Sequence, residues 1–197
     1  RLVNVMMLRE MPFDVHQEGA DGDAPSGEDV QAVRAWIEGL PRVPRCPERA
    51  PISMSDVMEA AAAAIEKAPA GDGKDWRFVS LAHLYNDCAS EADLAHYRLA
   101  ITKLVNGLSW RREPIALVPV DARGTVLRLS LADAGWVAAH WEMLGYANPY
   151  GFVPDTRAAA KVAEITGTAM PVVRGDWLAR AAGRAPLYYD LLGVPTR

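Results

Sequence analysis

The chain has 197 residues, of which 50% are hydrophobic and 23% are charged. This composition is typical of globular proteins and excludes collagen-like, low-complexity and wholly disordered chains. The formal net charge is −4, and no apolar run approaches the ~20 residues that cross a bilayer. We therefore expect neither a nucleic-acid partner nor a transmembrane segment.

The N-terminal part of the chain combines an irregular loop with one helix. Met11 and Pro12 open a loop that is rich in Gly, Asp and Pro. Ser26 and Asp29 have the spacing of a capping box, which predicts a helix that ends before Pro41. The apolar residues of this helix share one face: Val30, Val33, Trp36, Ile37 and Leu40.

A proline-rich stretch divides the chain. The prolines between Pro41 and Pro51 predict a rigid linker over residues 42–51. We therefore expect an N-terminal element over residues 1–41 and a second domain over residues 52–197. Since the sequence starts at Arg1, with neither an initiator Met nor a signal peptide, we expect it to be a piece of a longer protein.

Three helices are expected in the first half of the second domain. Apolar residues at helical spacing, with Pro and Gly at the ends, predict them at about 55–67, 75–87 and 91–110. Ser90 is the expected N-cap of the third helix, and Asp93 occupies its capping-box position.

A β-hairpin is expected next, followed by further helices. Two runs rich in β-branched residues, 115–120 and 125–131, flank a turn in which Gly124 supplies a positive φ. Asp133 and Asp155 are the expected N-caps of two more helices, and short helices are expected at 176–182 and 187–192. The predicted fold is therefore mainly α, a helical domain with one small β-hairpin at about 115–131.

The two cysteines, Cys46 and Cys88, allow two interpretations. They do not form a Cys-x-x-Cys pair. In an oxidising compartment they could form one disulfide, which would stabilise the fold by roughly 3–4 kcal/mol. In a reducing compartment they would be two small buried hydrophobic residues. The residues alone leave both interpretations open.

No catalytic site is visible in the sequence. The four histidines, His16, His83, His96 and His140, do not have the spacing of a zinc site. A metal site assembled by folding from the last three and a carboxylate is conceivable, but histidines on a helix surface or held by backbone carbonyls are the simpler interpretation. The serines lack a nucleophile-elbow motif and the glycines lack a phosphate-binding pattern. Whether the chain belongs to an enzyme stays open.

Aromatic residues are dense between positions 110 and 150. Such a group lines a ligand groove or an interface in some proteins and fills the core in others. We expect it to join helices to the hairpin in the core. The residues are Trp110, Trp136, Trp141, Tyr146 and Tyr150.

The N-terminal pattern resembles the C-terminal third of class I c-type cytochromes. The resemblance consists of the Met11-Pro12 pair, the loop after it, and the helix that carries Trp36. It implies that the Met11 thioether is an axial ligand of haem c iron and that Trp36 packs against the haem. The chain contains no Cys-x-x-Cys-His. Either the haem-attaching part lies upstream of Arg1, or the element has lost its haem.

A second resemblance covers about 11–194. Its residues are similar to those of large exported bacterial proteins in which a cytochrome-c-like region precedes a long further domain. They include Trp76–Asn86, Tyr97–Arg98, Lys103–Trp110, Gly124–Asp133, Trp136 and Asn148–Gly151. The resemblance implies a periplasmic or otherwise exported protein, and it favours the Cys46–Cys88 disulfide. It also implies that the partners are other domains or chains of a larger cytochrome-containing protein.

Two functional hypotheses follow. The first is a cytochrome-c-associated protein or subunit that transfers electrons, with haem held partly by sequence outside this chain. The second is a haem-free scaffold or interaction domain that uses an aromatic helix–hairpin surface. The redox partner is not indicated by any residue of the sequence.

Overall fold

The computed structural model describes residues 26–39, 46–147, 156–184 and 187–192. The chain divides into two compact units, Arg1–Val43 and Pro44–Arg197. Helix α1 (Gly27–Gly39) belongs to the first unit. The predicted capping box is confirmed, because Ser26 Oγ accepts a hydrogen bond from Asp29 N at 3.1 Å and Asp29 Oδ2 accepts one from Ser26 N at 2.9 Å.

The second unit is mostly helical and contains one small mixed sheet. Its helices are α2 (Met54–Glu66), α3 (Ala82–Asn86), α4 (Glu91–Gly107), α5 (Leu131–Ala134), α6 (Ala138–Ala147), α7 (Arg157–Thr166), α8 (Gly175–Ala182) and α9 (Leu187–Leu192). A 3₁₀ turn, Asp72–Asp75, precedes the sheet. The strands are β1 (Trp76–Ser80), β2 (Val118–Pro119), β3 (Val126–Ser130) and β4 (Val172–Arg174).

The sheet has the order β2-β3-β1-β4. Strands β2 and β3 are antiparallel, with Val118 opposite Arg128, and they form the predicted hairpin in a shorter version. Gly124 lies in the turn between them at φ 63°, as expected, because a side chain is disfavoured in that conformation. Strand β1 pairs antiparallel with β3 and parallel with β4.

The prediction of a helix over 75–87 is wrong for its first half. Residues Trp76–Ser80 form β1, the central strand, and only Ala82–Asn86 is helical. All five residues of β1 are buried, because helices cover both faces of the sheet. A strand that is buried on both faces loses the polar–apolar alternation that identifies strands in a sequence. Strand β4 was also unexpected, and it pairs over only three residues.

The sheet separates two hydrophobic clusters. Trp76 and Phe78 point to one cluster, which they share with residues of α2 and α7. Val79, which alternates with them along β1, points to the other cluster. That cluster contains residues of α4, α6, α8 and α9. The second unit is therefore a three-layer structure, with helices on both faces of the sheet.

In the second unit, the helix starts agree with the sequence at one cap and differ at two. Ser90 and Asp93 form the predicted capping box of α4. Asp133 is not an N-cap; Ser130 is the N-cap of α5, and Asp133 lies in its first turn. Thr156 caps α7 by accepting from Ala159 N, and the predicted cap Asp155 lies outside the described residues. Each difference moves a cap by one to three residues along the chain.

Candidate functional site

Of the two residues predicted to contact haem, the structure describes only one. Met11 lies outside it. Trp36 lies on α1 and its side chain is 63% exposed. A large aromatic side chain in that state is accessible to a ligand or a further polypeptide segment.

Cys46 and Cys88 form a disulfide, with their Cα atoms 5.2 Å apart. Of the two interpretations that the sequence left open, a disulfide or two free cysteines, the structure has the disulfide. Cys46 is buried, whereas Cys88 is exposed and adopts a φ of 67°. A positive φ is strained for a residue with a side chain. The disulfide joins the start of the second unit to the turn that follows α3.

Two further contacts hold the same chain segment in place. Arg49 Nη1 donates a hydrogen bond to Ala89 O at 2.8 Å. The side-chain amide of Asn86 pairs with both backbone groups of Ile52. Residues from Cys46 onwards, in the region expected to be a linker, are therefore fastened to the second unit.

A polar cleft of about 350 Å³ lies beside the disulfide. The side chains that line it include one histidine and two arginines, contributed by three separate segments of the chain. The lining residues are Cys46, Arg49, Pro51, His83, Asn86, Asp87 and Arg174. His83, one of the histidines considered in the sequence, is among these lining residues.

His83 lies beside an acidic residue of α8. Its Nε2 lies 3.6 Å from Asp176 Oδ1, and Asp176 also accepts hydrogen bonds from Arg174 Nε at 3.0 Å and Nη2 at 2.8 Å. His83 Nδ1 is buried and has no hydrogen-bond partner. Asp176 thus lies between His83 and Arg174, two of the residues that line the cleft.

The environment lowers the pKa of His83 below its usual value. Burial is the main cause, and the positive charge of Arg174 adds to it, while Asp176 and Asp87 act in the opposite direction. Burial alone would raise the pKa of Asp176, but its hydrogen bonds from Arg174 and the charges of His83 and Arg174 lower that pKa. The neutral imidazole and the ionised carboxylate are the forms that this arrangement favours at neutral pH.

The cleft offers groups that could bind a polar ligand. Nucleophilic catalysis needs a hydroxyl or thiol within hydrogen-bond reach of a base. The only sulfur in the lining of this cleft, that of Cys46, is part of the disulfide. The arginines and His83 could instead hold a polar ligand.

The other described histidines agree with the simpler interpretation. His140 Nδ1 accepts a hydrogen bond from Val137 N at 3.2 Å, and this bond lies at the start of α6. His96 is exposed on α4. Within the described ranges, no three His, Cys, Asp or Glu residues are grouped as a metal site. His16 lies outside those ranges.

The aromatic residues divide between core and surface. Trp136 and Trp141 are buried, and their indole N–H groups donate to Leu108 O at 3.1 Å and Met170 O at 2.7 Å. These two confirm the core interpretation. Trp110 differs, because its side chain is 67% exposed. The Tyr146 side chain and Tyr150 lie outside the described parts of the chain.

Trp110 is hydrogen-bonded to α9, the helix that also carries two exposed tyrosines. Its Nε1 donates to Leu191 O at 2.5 Å. Tyr188 and Tyr189 form an edge-to-face pair with ring centroids 5.8 Å apart, and both are exposed. We call Trp110, Tyr188 and Tyr189 the aromatic surface. Only Trp110 of this surface belongs to the group singled out in the sequence.

Sequence reasoning missed Arg174 and Asp176 as partners of His83. The parallel pairing of β1 with β4 places Ser80 opposite Arg174, and this pairing brings the start of α8 next to α3. No sequence spacing encodes that contact, because both strands were unrecognised. The Arg174–Asp176 pair itself, two residues apart, was the only local signal.

No helix in the described residues is long and apolar enough to span a membrane. No family model matches the chain, and comparisons with curated proteins and with solved structures found no similar protein.

Proposed function

We propose that this chain is part of an exported, cytochrome-c-containing protein. In this proposal the N-terminal unit completes a haem pocket whose attachment site lies in other sequence, and the second unit is a disulfide-closed domain that docks a partner. The observation that supports an exported location is the Cys46–Cys88 disulfide. Structural disulfides persist in oxidising compartments and are rare in the cytosol.

The residues of this chain fit only part of a haem site. Trp36 is accessible on α1 and could cover a haem edge. The chain has no Cys-x-x-Cys-His, so neither covalent attachment nor a proximal histidine comes from a c-type motif here. Met11 would supply a thioether ligand to the iron, and a ligand of that type raises the reduction potential.

The proposed role is outer-sphere electron transfer. The haem, when bound, supplies the redox centre. In this chain Met11 would bind the haem iron through its thioether, and Trp36 would pack against the haem. Both contributions are testable without knowledge of the redox partner.

The test is a reduced-minus-oxidised visible spectrum of the full-length protein expressed with the c-type haem maturation machinery. We expect a sharp reduced α band. Met11→Ala should abolish the sulfur-to-iron charge-transfer band, and Met7→Ala should leave it unchanged. A featureless spectrum of correctly exported protein would overturn haem binding, and an unchanged band in Met11→Ala would overturn the ligand assignment.

The aromatic surface favours a second candidate, a haem-free interaction domain. Trp110 is largely exposed although its indole N–H is held by Leu191 O. An aromatic side chain that is fixed and exposed loses little conformational entropy on binding, which is why such residues anchor interfaces. The partner in this case is another part of the parent polypeptide or a second protein.

Site-specific photocrosslinking tests this candidate. A photoreactive phenylalanine at position 110 of the full-length exported protein should capture a defined partner segment. The control carries the same group at Leu99, an exposed hydrophobic residue of α4 that lies outside the aromatic surface. Equal labelling from both positions would contradict the interaction surface.

A further inference from the structure

A groove of about 620 Å³ opens beside the end of β3. It forms because β2 pairs with β3 only at Leu127 and Arg128. The chain between residues 111 and 116 diverges from the sheet and forms the opposite wall of the groove. This volume is in the range of small-molecule sites, which span about 300–1,000 Å³.

Arg128 lies in this groove without a counter-ion. Its guanidinium carbon is 4.3 Å from the centroid of the Trp76 ring, so the side chain is stacked on the neighbouring strand. Its Nε is buried and has no hydrogen-bond partner, and no carboxylate of the described residues lies within 4.0 Å of it. A half-buried guanidinium without an acceptor is costly unless a ligand or water satisfies it.

Two more arginines line the same groove. Arg111 donates from Nε and Nη2 to Ala132 O, which fixes its position. Arg112 is exposed, and no partner of its guanidinium is found in the described ranges. Glu113 and Asp133 also line the groove, so three arginines face two carboxylates and leave one positive charge. The net charge of the groove is opposite in sign to that of the whole chain.

We propose that this groove binds an oxyanion ligand through Arg128. A guanidinium presents a planar fork of donors that matches the two oxygens of a carboxylate or the oxygens of a phosphate. The contact with the Trp76 ring restricts the position of the guanidinium before the ligand arrives, which lowers the entropy lost on binding. Arg111 and Arg112 provide positive charge for a ligand with more than one anionic group. The site is independent of haem and of the aromatic surface.

Titration calorimetry on the whole chain tests the proposal, with citrate and inorganic pyrophosphate as probes at low salt. We expect at least one of them to bind, with an affinity that falls as salt is added. Arg128→Gln should weaken binding by at least about tenfold, since it removes a charge-assisted, bidentate contact. Arg128→Lys, which keeps the charge but not the fork, should fall between Arg128→Gln and the unmodified chain.

The matched control is Arg180→Gln, an exposed arginine of α8 that does not line the groove. It should bind the probe as the unmodified chain does.

If Arg128→Gln does not fold, Arg112→Gln replaces it, because Arg112 is fully on the surface; its binding should weaken by about threefold. Citrate binding alone assigns a carboxylate ligand, and pyrophosphate binding alone assigns a phosphate ligand. Absence of binding by both probes, or equal weakening in Arg180→Gln, would overturn the proposal.

Discussion

Asn86 holds the backbone of Ile52 at both of its hydrogen-bonding groups. Asn86 Oδ1 accepts from Ile52 N at 2.8 Å, and Asn86 Nδ2 donates to Ile52 O at 2.9 Å. Ile52 directly precedes Ser53, the N-cap of α2, and Asn86 is the last residue of α3. One side-chain amide therefore joins the start of one helix to the end of another.

Replacing Asn86 should destabilise the second unit. Asn86→Ala removes two hydrogen bonds and leaves two half-buried backbone groups without partners, so we expect a loss of about 2 kcal/mol in the free energy of unfolding. Urea unfolding followed by circular dichroism measures it. Glu48→Ala changes an exposed side chain of the same segment and should shift stability by less than about 0.5 kcal/mol. Equal effects of the two changes would contradict the role of Asn86.

The disulfide should contribute more than any single hydrogen bond. Cys46 and Cys88 are 42 residues apart, and closing a loop of that length restricts the unfolded chain by about 4 kcal/mol in the chain-entropy model. We expect the Cys46→Ser, Cys88→Ser double variant to lose stability of that order. Urea unfolding with and without reductant is the measurement.

The reductant supplies the control for the disulfide. Reduction should lower the urea midpoint of the unmodified chain and leave that of the double variant unchanged. Peptide mapping without reductant should recover both cysteines in one linked species. Recovery of both as alkylated free thiols would show that the bond is absent in the isolated protein.

Local sequence signals predicted the helices better than the sheet. The capping box of Ser90 and Asp93 and the positive φ of Gly124 are decided by residues close together in the chain, and both predictions are confirmed. Strand β1 was missed because its burial is decided by α2 on one face and α8 on the other. Tertiary contacts of that kind override local propensity, and a single sequence does not display them.

The candidate site was harder to predict than the fold. The Cys46–Cys88 pair followed from resemblance and is confirmed. The stacking of Arg128 on Trp76 depends on the antiparallel register of β1 and β3, which places Trp76 opposite Ser130. Once Trp76 was assigned to a helix, that contact could not be anticipated. If β1 is taken as a strand in this register, Arg128 and Trp76 lie on the same face of the sheet.

Because one tryptophan lies in the core and another on the surface, replacing each by alanine should lower the free energy of unfolding by different amounts. Trp141 is completely buried, and its N–H donates to Met170 O. Trp141→Ala should therefore lower the free energy of unfolding by about 3–5 kcal/mol. Trp110→Ala removes an exposed ring and one hydrogen bond, so we expect about 1 kcal/mol. Urea unfolding of the two variants measures the difference, and similar costs for both would place Trp110 in the core.

His83 should make stability depend on pH. Burial lowers its pKa in the folded protein below the unfolded value, which is about 6.5. Between those two values the unfolded chain binds more protons than the folded one, so stability rises with pH there. Above about pH 6.5 His83 is neutral in both states and the fold keeps its full stability. As the pH falls below that value, protonation of His83 in the unfolded chain lowers the free energy of unfolding.

Thermal unfolding between pH 7 and about pH 5 tests this, because carboxylates with ordinary or lowered pKa values remain ionised over most of that range. The unmodified chain should lose stability on acidification, and His83→Gln, which cannot be protonated, should lose less. The matched control, His96→Gln, removes an exposed histidine of α4 and shows whether the effect belongs to the position of His83. If His83→Gln loses as much stability as the unmodified chain over this range, His83 is not the titrating group, and the buried imidazole beside Asp176 does not set the acid sensitivity of the fold.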